Sequence, residues 1–392
     1  MAKKSSSPWS VKIASFLFLS FLCAGVFAAW AQTSSPGSPA EKENRSAGQP
    51  SLSGGDPTIF IYHHFGDKRY PTTNVSEENF REQMRYLAEN GYQVLPLAEV
   101  VRSLRARLPL PAKAAVITID DGYRSIYTVA WPILKSHGFP FTVFLYVEGI
   151  EKKYSNYLSW DEIREMQAAG VDFQDHSFSH QRLADWPLDW SEQKYREWIR
   201  ADLARGVALL SERLGRRPRF FAIPYGEYNA IVREEAEVMG YDAVFTQDPG
   251  ALSNATDPFL VPREPILGKE WSTLAHFVKV LGRSDLPVAG LTPGISPRAQ
   301  ASSSRFGARV LHPERYDSTS YGIYVSELGW RKAEIDATGF VSTEYGLPLT
   351  RRLNRVMISA REKGSNRTAV RFWLLMKPRP QEAGTPPGAP PF

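Results

Sequence analysis

The stretch AAVITIDDGY, residues 114–123, decides how the rest of the chain is interpreted. Residues 114–119 form a continuous apolar run, which is typical of a strand buried on both faces of a parallel sheet. Asp120 and Asp121 follow this strand directly, and their side chains should point to opposite sides. Sites in α/β folds are built at the carboxyl ends of such strands. Since Asp-Gly is also a common turn pair, the stretch alone leaves a site and an ordinary turn both open.

The first 31 residues have the pattern of an export signal. Lys3 and Lys4 precede an apolar run over residues 13–26, and the sequence AWA at residues 29–31 has the form of a cleavage site. The run is short for a membrane span, which favours cleavage before Gln32 over a retained anchor. The single cysteine lies inside the run, so the mature chain would contain no disulfide. We expect export to the periplasm or cell envelope, or secretion.

Residues 57–285 repeat the order helix, glycine, strand. Glycine stands between a helical and a strand pattern at five places, which are Gly91, Gly138, Gly170, Gly215 and Gly240. Glycine suits the left-handed residue that ends a helix. Strands that alternate with helices predict a parallel sheet with helices outside, and this length fits a small or incomplete (β/α) barrel. The Ser-, Pro- and Gly-rich residues 32–56 predict a disordered linker before it.

The pattern changes after residue 285. Residues 286–304 predict a second linker, residues 305–377 a small all-β, sandwich-like domain, and residues 378–392 a disordered tail. All candidate chemistry lies before Leu281, so we expect this domain to be dispensable for reaction on short oligomers.

The charge of the chain is unevenly distributed. From Ile295 onward there are 15 Lys/Arg and 8 Asp/Glu, a balance of +7, whereas residues 32–294 carry −5. The positive charge could bind an anionic or envelope glycan, or simply solvate the sandwich surface. Without the leader the net charge is only +2, which gives no reason to expect a nucleic-acid partner.

A second chemical stretch, DHSFSH, occupies residues 175–180 after another predicted strand. His176 and His180 are four residues apart, and on a helical turn this spacing puts both imidazoles on one face, as metal ligands require. A carboxylate from Asp121 would complete a two-His, one-carboxylate set with open coordination positions. The alternative is a surface loop that contains two histidines.

A third stretch, FFAIPYGEYN, covers residues 220–229. Pro224 and Gly226 would bend the chain after a strand so that the amide of Tyr225 faces a site. A backbone N–H in that position could stabilise an oxyanion. The alternative is an ordinary loop after a strand.

Together the three stretches resemble the polysaccharide deacetylase family, carbohydrate esterase family 4. The family's Asp-Asp motif matches ITIDDGY, its H-[S/T]-x-x-H motif matches residues 176–180, and its R-x-P-Y motif matches only Pro224 and Tyr225, with Ala222 at the Arg position. The resemblance covers about residues 57–281. It implies a distorted (β/α)7 barrel and an acetylated polysaccharide as substrate.

The resemblance also implies roles for the acids and histidines. Asp121, His176 and His180 would bind a divalent metal, most often Zn²⁺, with Co²⁺ or Ni²⁺ as alternatives, and Asp120 would be the general base. The family's Arg normally holds the base carboxylate. Arg263 is a candidate replacement, and the alternative is a surface Arg near a strand end.

The general acid departs from the usual position in this family. The family's L-x-H motif matches Leu274-Ala275-His276 in its letters, but a helical pattern surrounds it. Ile61-Tyr62-His63 at the end of the first strand matches better and resembles a permuted subgroup that includes poly-β-1,6-N-acetylglucosamine deacetylases. His63 would then be the acid, and His64 would face the other way.

The sequence therefore predicts an exported, metal-dependent deacetylase that converts N-acetyl groups of an amino-sugar polymer into free amines and acetate. The polymer could be poly-N-acetylglucosamine, a chitin-like glycan or peptidoglycan. An O-acetyl glycan esterase with the same metal site is an alternative. A non-catalytic glycan-binding protein is a further alternative, whose expected sign would be the loss of a metal ligand or of the base.

Overall fold

The computed structural model describes residues 55–296, 305–365 and 367–377. The predicted signal peptide over residues 1–31 and the predicted tail over residues 378–392 lie outside the described residues. So do residues 32–54 of the first predicted linker and residues 297–304 of the second.

Strands and helices alternate in the first part of the chain, as the sequence pattern predicts. The strands are β1 (Thr58–Tyr62), β2 (His64–Phe65), β3 (Asn74–Val75), β4 (Gln93–Val94), β5 (Ala114–Ile119), β6 (Thr142–Leu145), β7 (Asp172–Asp175), β8 (Phe220–Ala222), β9 (Ala243–Phe245) and β10 (Glu264–Pro265). The helices are α1 (Glu77–Glu89), α2 (Leu97–Arg105), α3 (Trp131–His137), α4 (Val147–Glu151), α5 (Trp160–Ala168), α6 (Glu192–Leu214), α7 (Ala230–Val238) and α8 (Leu274–Leu281). A π-helical turn (Ile126–Ala130) precedes α3, and two 3-10 turns cover Pro224–Gly226 and Lys269–Ser272.

The main sheet is parallel and curls into a barrel. Its order is β10-β1-β5-β6-β7-β8-β9, and β4 is attached to β5. Val261 forms a parallel bridge with Phe245 of β9, while the following β10 pairs with β1. The segment that leads into β10 therefore connects the two ends of the sheet, which confirms the predicted distorted (β/α)7 barrel.

Apolar strands and amphipathic helices build the barrel core. Every residue of β1 and β5 is buried, as expected for apolar runs in a parallel sheet. Ser76 caps the start of helix α1, because its side chain accepts a hydrogen bond from the Asn79 N–H, and the helix buries the predicted face that includes Phe80 and Leu87. Full burial of one such side chain stabilises a fold by about 1.5–3 kcal/mol. These contacts fix the strands, and with them the loops at their carboxyl ends.

The second part of the described chain is all-β, as predicted. Its strands are β11 (Ser284–Asp285), β12 (Val288–Thr292), β13 (Gly307–Val310), β14 (Gly322–Val325), β15 (Gly329–Lys332), β16 (Glu334–Ile335), β17 (Phe340–Ser342), β18 (Leu353–Arg361) and β19 (Thr368–Met376). They form two sheets in the orders β11-β19-β18-β14-β15 and β12-β13-β17-β16. Phe306, Val341 and Trp373 are buried in one cluster shared by strands of both sheets. We call this part the β domain.

The boundary between barrel and β domain differs from the predicted linker over residues 286–304. Strand β11 already pairs with β19, and β12, inside the predicted linker, pairs with β13. Leu286 belongs to the buried cluster of the β domain, and Val288 and Leu291 pack against it. Gly290 has a positive φ of 62° at a register shift in β12. The Pro- and Gly-rich composition therefore reflects an irregular strand over residues 288–292 rather than a linker.

None of the helices in the described residues is both long enough and apolar enough to span a membrane.

Candidate functional site

The predicted site residues follow strands whose carboxyl ends lie at one edge of the barrel. His63 follows β1, Asp120 and Asp121 follow β5, and His176 follows β7. In a parallel sheet these ends point the same way, which is why residues far apart in sequence meet there.

Asp121, His176 and His180 form a compact cluster of metal-ligating groups. One ligand atom from each lies within 4.8 Å of the others. Asp121 Oδ1 is 3.0 Å from His180 Nε2 and 3.3 Å from His176 Nε2. His176 Nδ1 is 2.7 Å from the carbonyl oxygen of Ala222. A proton on Nδ1 in this hydrogen bond leaves the Nε2 lone pair directed at the cluster, which is the form that ligates a metal.

The segment that joins the two histidines is not the predicted helical turn. Ser177 and His180 have positive φ angles of 66° and 53°, and the segment is an irregular loop. Asp202 on α6 holds it by accepting hydrogen bonds from the N–H groups of Phe178 and Ser179 at 3.2 and 3.1 Å. The ring centroids of His176 and His180 are still only 4.9 Å apart. The irregular loop therefore brings the two imidazoles together, as the predicted helical turn would have done.

The cluster fits a divalent cation. Asp121 Oδ1 and His176 Nε2 are buried, and despite the short distances in the cluster neither makes a hydrogen bond of good geometry with a described residue. Burial by itself would raise the pKa of Asp121, but His180 and His176 hold it well below its ordinary value, so the carboxylate is anionic. Two imidazoles and one carboxylate are the ligand types of catalytic Zn²⁺ sites. The His180 side chain is 17 % exposed, which leaves access for a substrate.

Asp120 is held by Arg263 in a buried, bidentate ion pair. The two guanidinium N–H groups donate to the two carboxylate oxygens at 2.7 Å each, and both side chains are fully buried. Arg263 Nε also donates to the carbonyl oxygen of Thr246 at 2.9 Å. Burial opposes ionisation of Asp120, but Arg263 and His176 outweigh it and lower the pKa of this carboxyl. Of the two interpretations of Arg263, the structure supports the one in which it replaces the missing Arg of the R-x-P-Y motif.

The three candidate acids have different surroundings. His63 is buried, and burial lowers its pKa, although the charges of Asp121 and Asp120 act on it in the opposite direction. His64 is stacked against the rings of Tyr70 and Tyr123 at 3.9 and 3.6 Å.

His276 lies on α8 beside Trp271, with ring centroids 5.3 Å apart. That helix packs on β1 through a stack of Phe277 on Phe60 at 4.4 Å. The charge of Asp121 acts to raise the pKa of both His63 and His64, and Asp120 does the same for His63, so His63 is the candidate acid that interacts with both carboxylates.

The predicted turn after β8 is present. Pro224–Gly226 is a 3-10 turn in which Tyr225 has a φ of 61°. A Cβ at Gly226 would meet Gln247 at 2.5 Å, and its φ is also positive, so the turn requires glycine there. The Tyr225 ring lies 4.7 Å from the His180 ring, and the Arg182 guanidinium stacks on it at 4.0 Å.

Comparisons with known proteins agree with this geometry. Residues 107–244 match the sequence model described as polysaccharide deacetylase. A poly-β-1,6-N-acetyl-D-glucosamine N-deacetylase of Escherichia coli K12 is 31% identical over an alignment of 233 residues that covers 50% of this chain and 34% of that protein. The protein of the same name in Staphylococcus epidermidis is 24% identical over 213 residues, 53% of this chain and 73% of that one.

Among solved structures, the Streptococcus pyogenes deacetylase PplD in complex with acetate superposes with a TM-score of 0.52 at 24% identity. The match covers 58% of this chain and 99% of that chain, and it supports the barrel fold.

Residues 107–244, which contain Asp120, Asp121, His176 and His180, thus match the polysaccharide deacetylase family model. The chain is similar to proteins named poly-β-1,6-N-acetyl-D-glucosamine N-deacetylase. The chain spans about a third of the length of the E. coli relative.

Proposed function

We propose that this chain is an exported, metal-dependent polysaccharide deacetylase that hydrolyses N-acetyl groups of a poly-N-acetylglucosamine-type polymer to free amines and acetate. The observation that carries the proposal is that two neighbouring carboxylates have different principal partners, although His176 Nε2 also lies 3.8 Å from Asp120 Oδ2. Asp121 faces His176 and His180, while Asp120 is bound by Arg263. The names of the E. coli and S. epidermidis relatives support an N-acetylglucosamine polymer as the substrate class.

Asp121, His176 and His180 are the residues that would hold the metal. A divalent cation such as Zn²⁺ bound there would polarise the acetamide carbonyl and acidify a water molecule.

Asp120 is suited to accept the proton of the attacking water. Its lowered pKa keeps it ionised at neutral pH. A carboxylate has about four lone-pair sites, and the bidentate contact with Arg263 uses two of them. The carboxylate is therefore held in one orientation and can still act as a base.

The remaining two roles fall to the Tyr225 loop and His63. The Pro224–Gly226 turn would direct the Tyr225 N–H at the developing oxyanion, and one such donor is worth about 10²–10³-fold in rate. His63 would protonate the leaving nitrogen, and its lowered pKa makes the imidazolium a stronger acid. General acid–base catalysis of this kind typically contributes about 10²–10⁴-fold.

The test is to incubate the protein, loaded with Zn²⁺ or Co²⁺, with oligomers of β-1,6-linked N-acetylglucosamine, chitin oligomers, peptidoglycan and an O-acetylated glycan. Acetate and new primary amines are measured in the same samples. We expect equal amounts of both from the β-1,6-linked oligomers. Acetate without amine would indicate an esterase instead. No acetate from any glycan, with metal bound, would refute the proposal.

Export rests on the pattern of residues 1–31. N-terminal sequencing of the protein recovered from its native compartment should begin at Gln32, and a chain that retains Lys3 would contradict cleavage.

A further inference from the structure

The β domain contacts the barrel at the edge where the site lies. Arg352, at the start of β18, donates to Asp185 at 2.6 Å and lies 3.4 Å from Glu227. Asp185 belongs to the loop that follows the His176–His180 segment, and Glu227 comes two residues after Tyr225. One arginine of the β domain therefore joins two loops of the site edge.

A second connection runs through Asp248, which follows β9. Arg355 Nε lies 3.2 Å from Asp248 Oδ1, and the Tyr228 hydroxyl donates to Asp248 Oδ2 at 2.5 Å. The same hydroxyl accepts a hydrogen bond from the Leu374 N–H of β19 at 3.1 Å. The barrel residues of this network are buried, with Asp248 4 % and Tyr228 3 % exposed, and so is Leu374 of the β domain at 3 %.

The two parts also share apolar packing. Leu374 and Met376 of β19 belong to the same buried cluster as Ile223, Tyr228 and Val244 of the barrel. Removal of the β domain would expose this cluster. This packing argues against the expectation that the β domain is dispensable for reaction on short oligomers.

The polar network reaches the Tyr225 ring in two steps. The Glu227 carboxylate, 3 % exposed, is paired with Arg352 of the β domain and with Arg182 of the barrel. Arg182 in turn stacks on the Tyr225 ring at 4.0 Å, next to His180. A buried carboxylate that loses one of two cationic partners must move or bind water, because isolated buried charge is costly. Loss of Arg352 should therefore be transmitted to Arg182 and to the Tyr225 turn.

We propose that the β domain is a structural part of the deacetylase site, and that Arg352 and Arg355 are positioning residues that hold the loop over residues 224–229. Their role in the reaction rests on the proposed function, because the loop matters to turnover through the Tyr225 N–H. Loss of Arg352 or Arg355 should therefore weaken stabilisation of the transition state and leave the metal cluster intact.

The test compares Arg352→Gln and Arg355→Gln with Arg367→Gln. Arg367 is a matched control, because it also joins the β domain to the barrel, through Asp56 at 2.9 Å. Asp56 precedes β1, so this contact lies at the opposite edge of the barrel from the site. All three variants keep the full chain and are loaded with Zn²⁺.

Two readouts are needed. Hydrogen–deuterium exchange of peptides covering residues 220–230 reports the loop without reference to catalysis, and steady-state kinetics separate kcat from KM. For Arg352→Gln we expect faster exchange in that segment, unchanged metal content, and a fall in kcat of roughly tenfold, below the full value of one oxyanion donor. Arg367→Gln should lower the Tm and leave segment 220–230 and kcat as in the wild type.

The outcomes separate this inference from the proposed function. Unchanged exchange over residues 220–230 in both Arg352→Gln and Arg355→Gln would overturn the inference, whatever the activity. The same holds if Arg367→Gln lowers kcat as much as Arg352→Gln does. If exchange changes as expected but the wild type releases no acetate, the positioning role stands and the deacetylase proposal fails. Should Arg352→Gln not fold, Arg355→Gln and Arg352→Lys provide the same comparison.

Discussion

Replacement of Arg263 by Gln tests whether Arg263 holds Asp120, the proposed general base, in its ionised form. The change keeps a polar side chain but removes the guanidinium that contacts both oxygens of Asp120. Breaking a buried ion pair by removing one partner costs about 3–5 kcal/mol, because the other charge remains buried. At roughly 2–4 °C per kcal/mol for a domain of this class, the Tm should fall on the order of 10 °C.

The same change should alter the pH dependence of turnover in a defined direction. Burial raises the pKa of Asp120, and Arg263 is the first of the groups that lower it. Without Arg263 the pKa must rise, and each unit corresponds to about 1.4 kcal/mol of lost preference for the carboxylate. The limb of kcat/KM that reports the base should move to higher pH, with a loss of about 10²-fold at neutral pH that is partly recovered as pH increases.

A control is needed because the variant also loses stability. Arg283 makes a comparable pair with the buried Glu264, with contacts of 2.7 and 2.8 Å, but Glu264 lies in β10 and has no proposed part in the reaction. Arg283→Gln should lower the Tm similarly and change kcat by less than about threefold.

The role of Arg263 can be tested by measuring acetate release between pH 5 and 10, together with thermal unfolding, for both variants. A normal pH profile in Arg263→Gln, or an equal loss of kcat in Arg283→Gln, would refute the assignment of Arg263.

Three further predictions concern single side chains of the site. His176→Ala and His180→Ala should each abolish tight metal binding after dialysis, and retention of one metal per chain in both would exclude this cluster. Asp120→Asn should keep the metal and the fold, lower the Tm because Arg263 loses its buried anionic partner, and lose about 10²–10⁴-fold in acetate release; near-normal turnover would exclude it as the base. His63→Ala should lower turnover and remove the high-pH limb of the rate profile, whereas His276→Ala should behave as the wild type; the reverse result would restore the usual C-terminal acid.

The sequence was sufficient to predict the strands that end in the site and the type of barrel. The reason is local, since an apolar run such as residues 114–119 both identifies the buried strand and places the next polar residues at its carboxyl end. The His176–His180 spacing also predicted that the two histidines would lie together with Asp121, and they do, although the segment between them is an irregular loop rather than a helical turn. Ser177 and His180 have left-handed backbone conformations, and Asp202 holds the loop between the two histidines so that their rings come together. No sequence pattern around residues 177–179 predicts this backbone.

The partner of Asp120 shows what local pattern cannot provide. Arg263 is 143 residues away in sequence and enters the site from the segment that connects the two ends of the sheet. From the sequence alone, Arg263 could equally be a surface residue. Its contact with Asp120 forms only when the barrel closes, and closure depends on all the strands between the two residues. Asp202 and the Ala222 carbonyl, which orient the histidine loop and ring, were missed for the same reason.

The net positive charge of the β domain is consistent with more than one role for its basic residues. The excess of +7 was open to glycan binding or to surface solvation. In the structure, some of these positive charges have a third role: Arg352, Arg355 and Arg367 form ion pairs with carboxylates of the barrel region. The net charge of that region is negative. Opposite net charges on two packed parts favour their association and fix its register. Cations used in this way are not available to an anionic glycan, so any glycan contact of the β domain must depend on its other basic residues.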